Sequence, residues 1–299
     1  MSKRKLEELN LLDDFLFGTM VTYPEIGESF VREILKTIFQ RNFGSLTVIS
    51  QKVYYGSDTD KHGARLDVYI EEENPDDGAI VYDVDPENKT DQESLDALPF
   101  RVRFYHAKID SKSLKSGQSY RFLKKVFVIM IMPKDPFGKN RMIYTIRNMC
   151  EEDPSMPYDD GARTIFLYTK GTEGKTPEEL RQLLHYMEDT KEENAVNEKL
   201  RHMHEMVKKV KQDEEVSLEY MKIFEHEEML IRQGRKEEQA NTERERQRAD
   251  DAEQRADDAE RRADSAEQRA DDAERRADKV EQENIRLREE LEKLKKSSQ

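Results

Sequence analysis

Apolar residues recur at helical spacing near the start of the chain and at strand spacing soon after it. Two opening helices are predicted, one within residues 5–19 and one over residues 26–39, just after Pro24. The run LTVISQKVYYG is rich in β-branched and aromatic residues and predicts a first strand. RLDVYIEEE and IVYDVDPEN predict two more. The chain is therefore expected to begin helix, helix, strand, strand, strand.

The middle of the chain continues this mixture of helices and strands. A mostly helical segment is predicted from SLDALPFRVRFYHAKIDSKSLKSGQSYRFLKK, followed by a fully buried strand at VFVIMIM. RMIYTIRN is expected to pair back on that strand, and RTIFLY to add another. Residues 177–237 predict helices that lead away from the core and are interrupted near Gly234. An α/β fold follows from this order.

Acidic residues gather at corresponding positions of the second and third predicted strands. A period of two places Leu66, Val68 and Ile70 on one face of the second strand and Asp67 on the other. On the third strand, Asp83, Asp85 and Glu87 share one face. Carboxylates on facing strands repel one another unless a cation lies between them, and a divalent cation such as Mg²⁺ needs only one or two of them. The alternative interpretation is a set of solvated acids on the outer face of a sheet.

Composition separates the chain into a part that can bury a core and a part that cannot. Charged residues make up 39% and hydrophobic residues 35%, against globular averages of about 25% and 45–50%. The net charge of −14 argues against a general polyanion binder, although local basic patches can still contact nucleic acid. The single cysteine, Cys150, suits a reducing compartment. Because no apolar run approaches about 18 residues, a soluble cytoplasmic protein with no membrane segment is expected.

From Arg248 the chain repeats five RADDAEQ-like heptads, and the heptad spacing continues beyond them. With Ala249 at position a and Ala252 at position d, the spacing of apolar residues never changes register. The later a positions are Ala256, Ala263, Ala270, Ala277, Asn284 and Leu291, and the later d positions are Ala259, Ala266, Ala273, Val280, Leu287 and Leu294. This pattern predicts a coiled coil, and Asn284 favours a parallel homodimer. The alternative is a single charged helix held by ion pairs within the chain.

Several blocks in one order resemble the PD-(D/E)XK nuclease superfamily, and more closely its transposase-associated, recombination-promoting nuclease branch. The resemblance spans residues 8–235. It is carried by DDFLFGTMV, by RLDVYIEEE followed by IVYDVDPEN, by LPFRVRFYHAKIDSKSLKSGQSY, by VFVIMIMPKDPFG with RMIYTIRN, and by EYMKIFEHEEMLIRQGR. It implies a restriction-endonuclease-like core, a mixed β-sheet flanked by helices, and hydrolysis of phosphodiester bonds in DNA with Mg²⁺ or Mn²⁺.

The resemblance also implies which residues carry the chemistry. Asp67 matches the first acid of the motif and Asp85 the second, with Glu87 at the position where the family usually has Gln or Lys. An alternative register takes Glu87 as the second acid and Lys89 as the activating cation, which moves the site about 6–7 Å along the strand. The candidate catalytic residues are thus Asp67, Asp85, Glu87 and Lys89, and the candidate metal ligands are Asp67, Asp85 and Glu87. A site that has lost its activity is the third possibility.

The basic segment after these strands supplies candidate DNA contacts. Arg101 and Arg103 are the expected phosphate contacts, with Tyr105 and His106 near the strand groove. An amphipathic helix whose aromatic residues are part of the core explains the same pattern.

The sequence therefore predicts a nuclease-like domain at 1–175, a helical region at 176–240 and a heptad-repeat coiled coil at 241–299. The leading function is a metal-dependent DNA endonuclease. The alternative is a catalytically lapsed nuclease fold that binds DNA or protein and is dimerised by its tail.

Overall fold

The computed structural model describes residues 4–54, 64–74, 78–88 and 91–297. They belong to two compact units, which are divided between Lys222 and Ile223. The helices are α1 (Asp14–Thr22), α2 (Gly27–Phe39), α3 (Gln92–Ser113), α4 (Glu178–Glu188), α5 (Glu198–Lys211) and α6 (Glu214–Ser297). The strands are β1 (Leu46–Tyr54), β2 (Ala64–Asn74), β3 (Gly78–Pro86), β4 (Lys125–Met132), β5 (Ile143–Ile146) and β6 (Ala162–Tyr168). Short 3₁₀ turns lie at Leu6–Glu8, Tyr120–Phe122 and Glu192–Asn194.

The strands form one mixed sheet in the order β1-β2-β3-β4-β6-β5. β1, β2 and β3 are antiparallel neighbours, β4 and β6 run parallel to β3, and β5 lies antiparallel at the edge. A parallel pair needs a crossover, which α3 provides between β3 and β4. The predicted α/β class and the opening order of two helices and three strands are confirmed.

Helices cover both faces of this sheet. α1, α2, α4 and α5 pack on one face, where the core includes Val68, Tyr82 and Ile129. α3 covers the other face with Leu95, Leu98, Val102 and Ile109. β4 lies between these two layers, which explains its unbroken apolar run. The predicted strand is buried except at Phe127, which is only partly buried.

The structure corrects three expectations in the later part of the chain. β5 pairs with β6 and not with β4, because β6 lies between them. The helix predicted over the basic segment stops at Ser113, where Leu114 becomes extended. α6 continues through Gly234 without the predicted interruption.

The helices α4 and α5 belong to the same core as the sheet. Leu180, Leu184 and Met187 of α4 and Val207 of α5 lie in the buried cluster that covers β2 and β3. These helices do not lead away from the core, and the first compact unit extends to Lys222. Among the described residues, no helix has the length and apolar content needed to cross a membrane.

Gly27, the first residue of α2, lies against the backbone of α1. A Cβ atom at this position would approach the carbonyl oxygen of Val21 more closely than the 3.0 Å at which real Cβ contacts end. We expect Gly27→Ala to lower the free energy of unfolding of the first unit by about 1–3 kcal/mol, because backbone on both sides of the clash must move. Denaturant unfolding followed by tyrosine fluorescence measures this, since every tyrosine precedes Met221.

Gly234→Ala is the matched control for this substitution. A Cβ at Gly234 meets nothing within 4 Å, and the position is inside α6. The control is expected to leave the tyrosine transition unchanged and to favour the helix by about 1 kcal/mol. An unchanged transition in Gly27→Ala would show that α1 and α2 can separate at no cost.

Candidate metal centre

Three acidic side chains lie along β3, on the face that α3 covers. Asp83, Asp85 and Glu87 are only 0%, 7% and 8% exposed. The ladder between β3 and β4 continues past Pro86, because the N–H of Glu87 donates to the carbonyl of Ile131 at 2.8 Å. Glu87 is thereby held in strand geometry one residue beyond the end of β3. These acids are therefore not solvated side chains on an outer face.

Arg101 of α3 brings the carboxylates of Asp85 and Glu87 together. Its two terminal nitrogens lie 2.5 Å from Oε2 of Glu87 and 3.7 Å from Oδ2 of Asp85. Burial acts to lower the pKa of Arg101, but the charges of Asp85 and Glu87 outweigh it and raise that pKa above its ordinary value. Two carboxylates from one strand thus converge on a single cationic group.

Asp67 belongs to β2, the neighbour of β3. The described ladder ends with Val68 opposite Val84, and continuing it by one residue sets Asp67 opposite Asp85. The side chains of β2 do not alternate strictly between the two faces of the sheet at this end of the strand. Leu66 lies in the core under α3, whereas Val68, two residues later, lies in the core on the other face. Of Asp67 only the backbone is described, and Lys89 lies outside the described residues.

The four candidate DNA contacts on α3 have different environments. Arg103 is exposed, with its guanidinium 5.6 Å from the ring centre of Phe100. Tyr105 is half-buried and packs against the core under α3. Nε2 of His106 lies 3.1 Å from Oγ1 of Thr164, and burial lowers the pKa of His106. Among these four residues, only Arg103 is exposed, and Arg101 already has two carboxylate partners.

A buried polar network on the opposite face of the sheet was missed by the sequence analysis. Arg41 donates to both carboxylate oxygens of Glu72 at 2.9 and 2.6 Å, and the hydroxyl of Tyr82 donates to the same carboxylate at 2.9 Å. Burial acts to raise the pKa of Glu72, but the hydrogen bonds from Arg41 and Tyr82 keep it below its ordinary value. The sequence contains one sign of this network: Glu72 shares its strand face with Val68 and Ile70. An acid at an otherwise apolar position is expected to be buried, and a buried acid requires a partner.

The acids of β3 suit a hard divalent cation, although they do not form a complete ligand set. Among the described side chains, no group of three or more His, Cys, Asp or Glu is arranged to hold a metal ion. Mg²⁺ often binds through one or two carboxylates and completes its shell with water and phosphate. Asp85 and Glu87 supply two carboxylates close to each other, and both contact Arg101.

Comparison with family models, with curated proteins and with solved structures finds no match for this chain. The interpretation of the site therefore depends on its own residues.

Proposed function

We propose that this protein is a metal-dependent DNA endonuclease of the recombination-promoting, transposase-associated type. The observation that carries the proposal is the convergence of two buried carboxylates, those of Asp85 and Glu87, at the end of β3. Support also comes from the order of elements, in which an antiparallel β2–β3 pair is followed by a helix and a parallel strand. A restriction-endonuclease-like core is part of this proposal.

Each candidate residue has a defined role in the proposed site. Asp67 on β2 and a second acid on the neighbouring strand would hold Mg²⁺ or Mn²⁺. The second acid is Asp85, or Glu87 in the alternative register. A cation bound there polarises the scissile phosphate and lowers the pKa of bound water. Lys89 would stabilise the negative charge that develops on the phosphate. Arg103, with the aromatic and basic residues beside it on α3, would contact the DNA backbone.

Arg101 has a different role from the simple phosphate contact that the sequence suggests. Its guanidinium provides the positive charge that keeps Asp85 and Glu87 together in the structure. A cation bound to the same carboxylates replaces that charge, so Arg101 becomes available to a phosphate group only in the loaded site. Binding of cation and binding of DNA are coupled in this proposal.

A supercoiled-plasmid nicking assay tests the proposal. Full-length protein is expected to nick DNA with Mg²⁺ or Mn²⁺ and not with EDTA, and Asp67→Ala is expected to show no cation-dependent nicking. Asp96→Asn, which changes an exposed acid on α3, is the control that keeps wild-type activity. Equal nicking by wild type and Asp67→Ala would contradict the proposal, because it would indicate a contaminating nuclease.

The competing proposal is a catalytically lapsed fold that binds DNA or protein. It is favoured by Glu87, which stands where the nucleases that the chain resembles usually have Gln or Lys, and by the contact of Arg101 with both acids. It predicts no nicking, and DNA binding that EDTA leaves unchanged. Fluorescence anisotropy with a labelled duplex distinguishes the two.

We propose that the protein is a homodimer joined by a coiled coil in the tail of α6, with Asn284 at an a position. We also propose a cytoplasmic location, since the chain has one cysteine and cannot form an intramolecular disulfide.

A further inference from the structure

The tail of α6 presents a regular pattern of charges, which are exposed from Arg248 to Arg288. α6 is helical as far as Ser297, and every residue from Arg248 to Arg288 is exposed. The apolar residues at a and d positions up to Leu287 share this exposure, and Val280 and Leu287, both at d positions, are more than half exposed. Over these described side chains, the stripe is uncovered within a single chain.

The charges that flank the stripe have opposite signs on its two sides. In the first five heptads every g position is Arg and every e position is Glu. In the last two heptads the signs are reversed, with Glu283 and Glu290 at g and Arg288 and Lys295 at e. The g positions and the e positions thus change the sign of their charge at the same place in the sequence.

A parallel, in-register pair of these helices places each g residue beside the e residue five positions further along the other copy. Every such pair in the tail then has opposite charges. The pairs are Arg248 with Glu253, Arg255 with Glu260, Arg262 with Glu267, Arg269 with Glu274, Arg276 with Glu281, Glu283 with Arg288, and Glu290 with Lys295. Each occurs twice in a dimer by symmetry.

Other arrangements bring like charges together. An antiparallel pair with full overlap joins g to g and places Arg262 beside Arg276 and Arg269 beside its own copy. A parallel pair shifted by one heptad places Arg276 beside Arg288 and Glu283 beside Glu281. The shift also moves Asn284 away from Asn284 of the second copy, which leaves each amide against an apolar residue.

We propose that the tail selects a second copy of this chain, in parallel and in register, through charge pairs whose sign reverses after Glu281. The inference rests on the proposed coiled-coil dimer and adds its register and a charge-based reason for the parallel orientation. It does not depend on nuclease activity. The alanine seam buries little apolar area, so the flanking charges contribute a large share of the selectivity.

A single charged helix is the alternative, and the f positions distinguish it from the dimer. Arg261 and Arg275 lie at f, each directly before Arg262 or Arg276 at g. Arg261 has acids at i−4 and at i+3, Asp257 and Asp264, whereas Arg262 has only Asp258 at i−4. A single helix therefore depends more on the f arginines, and the proposed dimer depends on the g arginines.

Charge reversal at g, with reversal at f as the matched control, tests the proposal on the full chain. Arg262→Glu/Arg276→Glu is expected to raise the dimer dissociation constant on the order of 100-fold at low salt, because four attractive pairs become repulsive. Arg261→Glu/Arg275→Glu makes the same change in net charge and is expected to leave the dimer intact. Sedimentation equilibrium measures both.

Mixing two variants provides the decisive comparison. Glu267→Arg/Glu281→Arg is also expected to weaken its own dimer, yet an equimolar mixture with Arg262→Glu/Arg276→Glu restores opposite charges at every affected pair. Recovery of a heterodimer in the mixture supports the inference. A dimer that forms equally well in all variants would overturn the charge-pair inference and leave the proposed dimer standing, whereas a monomeric wild type would overturn both.

Disulfide trapping tests the orientation separately. In a Cys150→Ser background, Asn284→Cys is expected to form a disulfide-linked dimer under mild oxidation, because identical a positions face each other in the parallel register. Ile285→Cys, at the outward b position next to it, is the control and is expected not to link. Equal linking at both positions, or linking at neither, would overturn the parallel in-register arrangement.

Discussion

Asp85→Asn is expected to lower the rate of cation-dependent plasmid nicking by roughly 100- to 1,000-fold. Asn has nearly the same shape as Asp but lacks the charge that holds the cation. A bound metal contributes several kcal/mol of transition-state stabilisation, and each 1.36 kcal/mol is a factor of ten in rate. Single-turnover rates at a fixed, high Mg²⁺ concentration measure the effect.

Glu87→Gln distinguishes the two possible registers of the site. If Asp85 is the second ligand, this substitution creates the acid-x-Gln pattern that the resemblance leads one to expect, and nicking is retained or increased. If Glu87 is the ligand and Lys89 the activating cation, Glu87→Gln and Lys89→Ala both lose activity while Asp85→Asn keeps it. We expect the first pattern of results. The second would move the site two residues along the strand.

Loss of activity in these variants has to be separated from loss of folding. In Asp85→Asn the guanidinium of Arg101 keeps Glu87 at 2.5 Å as a partner, so the buried positive charge remains compensated. The tyrosine unfolding transition is therefore expected to move little. An Asp85→Asn protein that unfolds in the absence of denaturant would leave Glu87→Gln and Lys89→Ala as the informative pair of substitutions.

The elements of the fold were largely predictable because each one has a local signal. The apolar run of β4 can be accommodated only between two covering layers, and both layers are present. The partner of β5 could not be found in the same way, since its sequence is equally compatible with pairing to β4 or to β6. Strand order depends on which edge remains free after the sheet is assembled, and this information is not local to RMIYTIRN.

The placement of the candidate acids on β3 was predictable from the sequence, but their burial and their ion pairs were not. Alternation along β3 correctly places Asp83 and Asp85 on the face opposite Tyr82. It gives no reason to expect that face to be buried, because the burial comes from α3, which crosses over the sheet to reach β4. The contact of Arg101 with Asp85 and Glu87 has the same origin, so a residue assigned to DNA phosphate from sequence has an intramolecular role in the structure.

Arg41→Met is expected to lower the free energy of unfolding of the first unit by about 2–4 kcal/mol. The side chain of Glu72 is only 3% exposed, and Arg41, at 36%, is its cationic partner. Removing one member of a buried ion pair leaves an uncompensated charge, which costs about 3–5 kcal/mol when burial is complete, and the partial exposure of Arg41 reduces that figure. Urea unfolding followed by tyrosine fluorescence gives the value.

Arg181→Met removes an exposed pair with Glu178 on α4 and is expected to change stability by less than about 1 kcal/mol.

The double variant Arg41→Met/Glu72→Met decides whether the penalty comes from the unpaired acid or from lost packing around Arg41. The guanidinium of Arg41 lies 3.9 Å from the ring centre of Phe43, so some packing is lost in either case. If the unpaired charge dominates, the double variant is more stable than Arg41→Met alone, because an apolar pair of similar size replaces a buried ion pair at little cost. The hydroxyl of Tyr82 keeps no carboxylate acceptor in that variant, and Tyr82→Phe added to it is expected to recover further stability. A double variant less stable than the single one would instead assign the stabilisation to the packing of these two side chains.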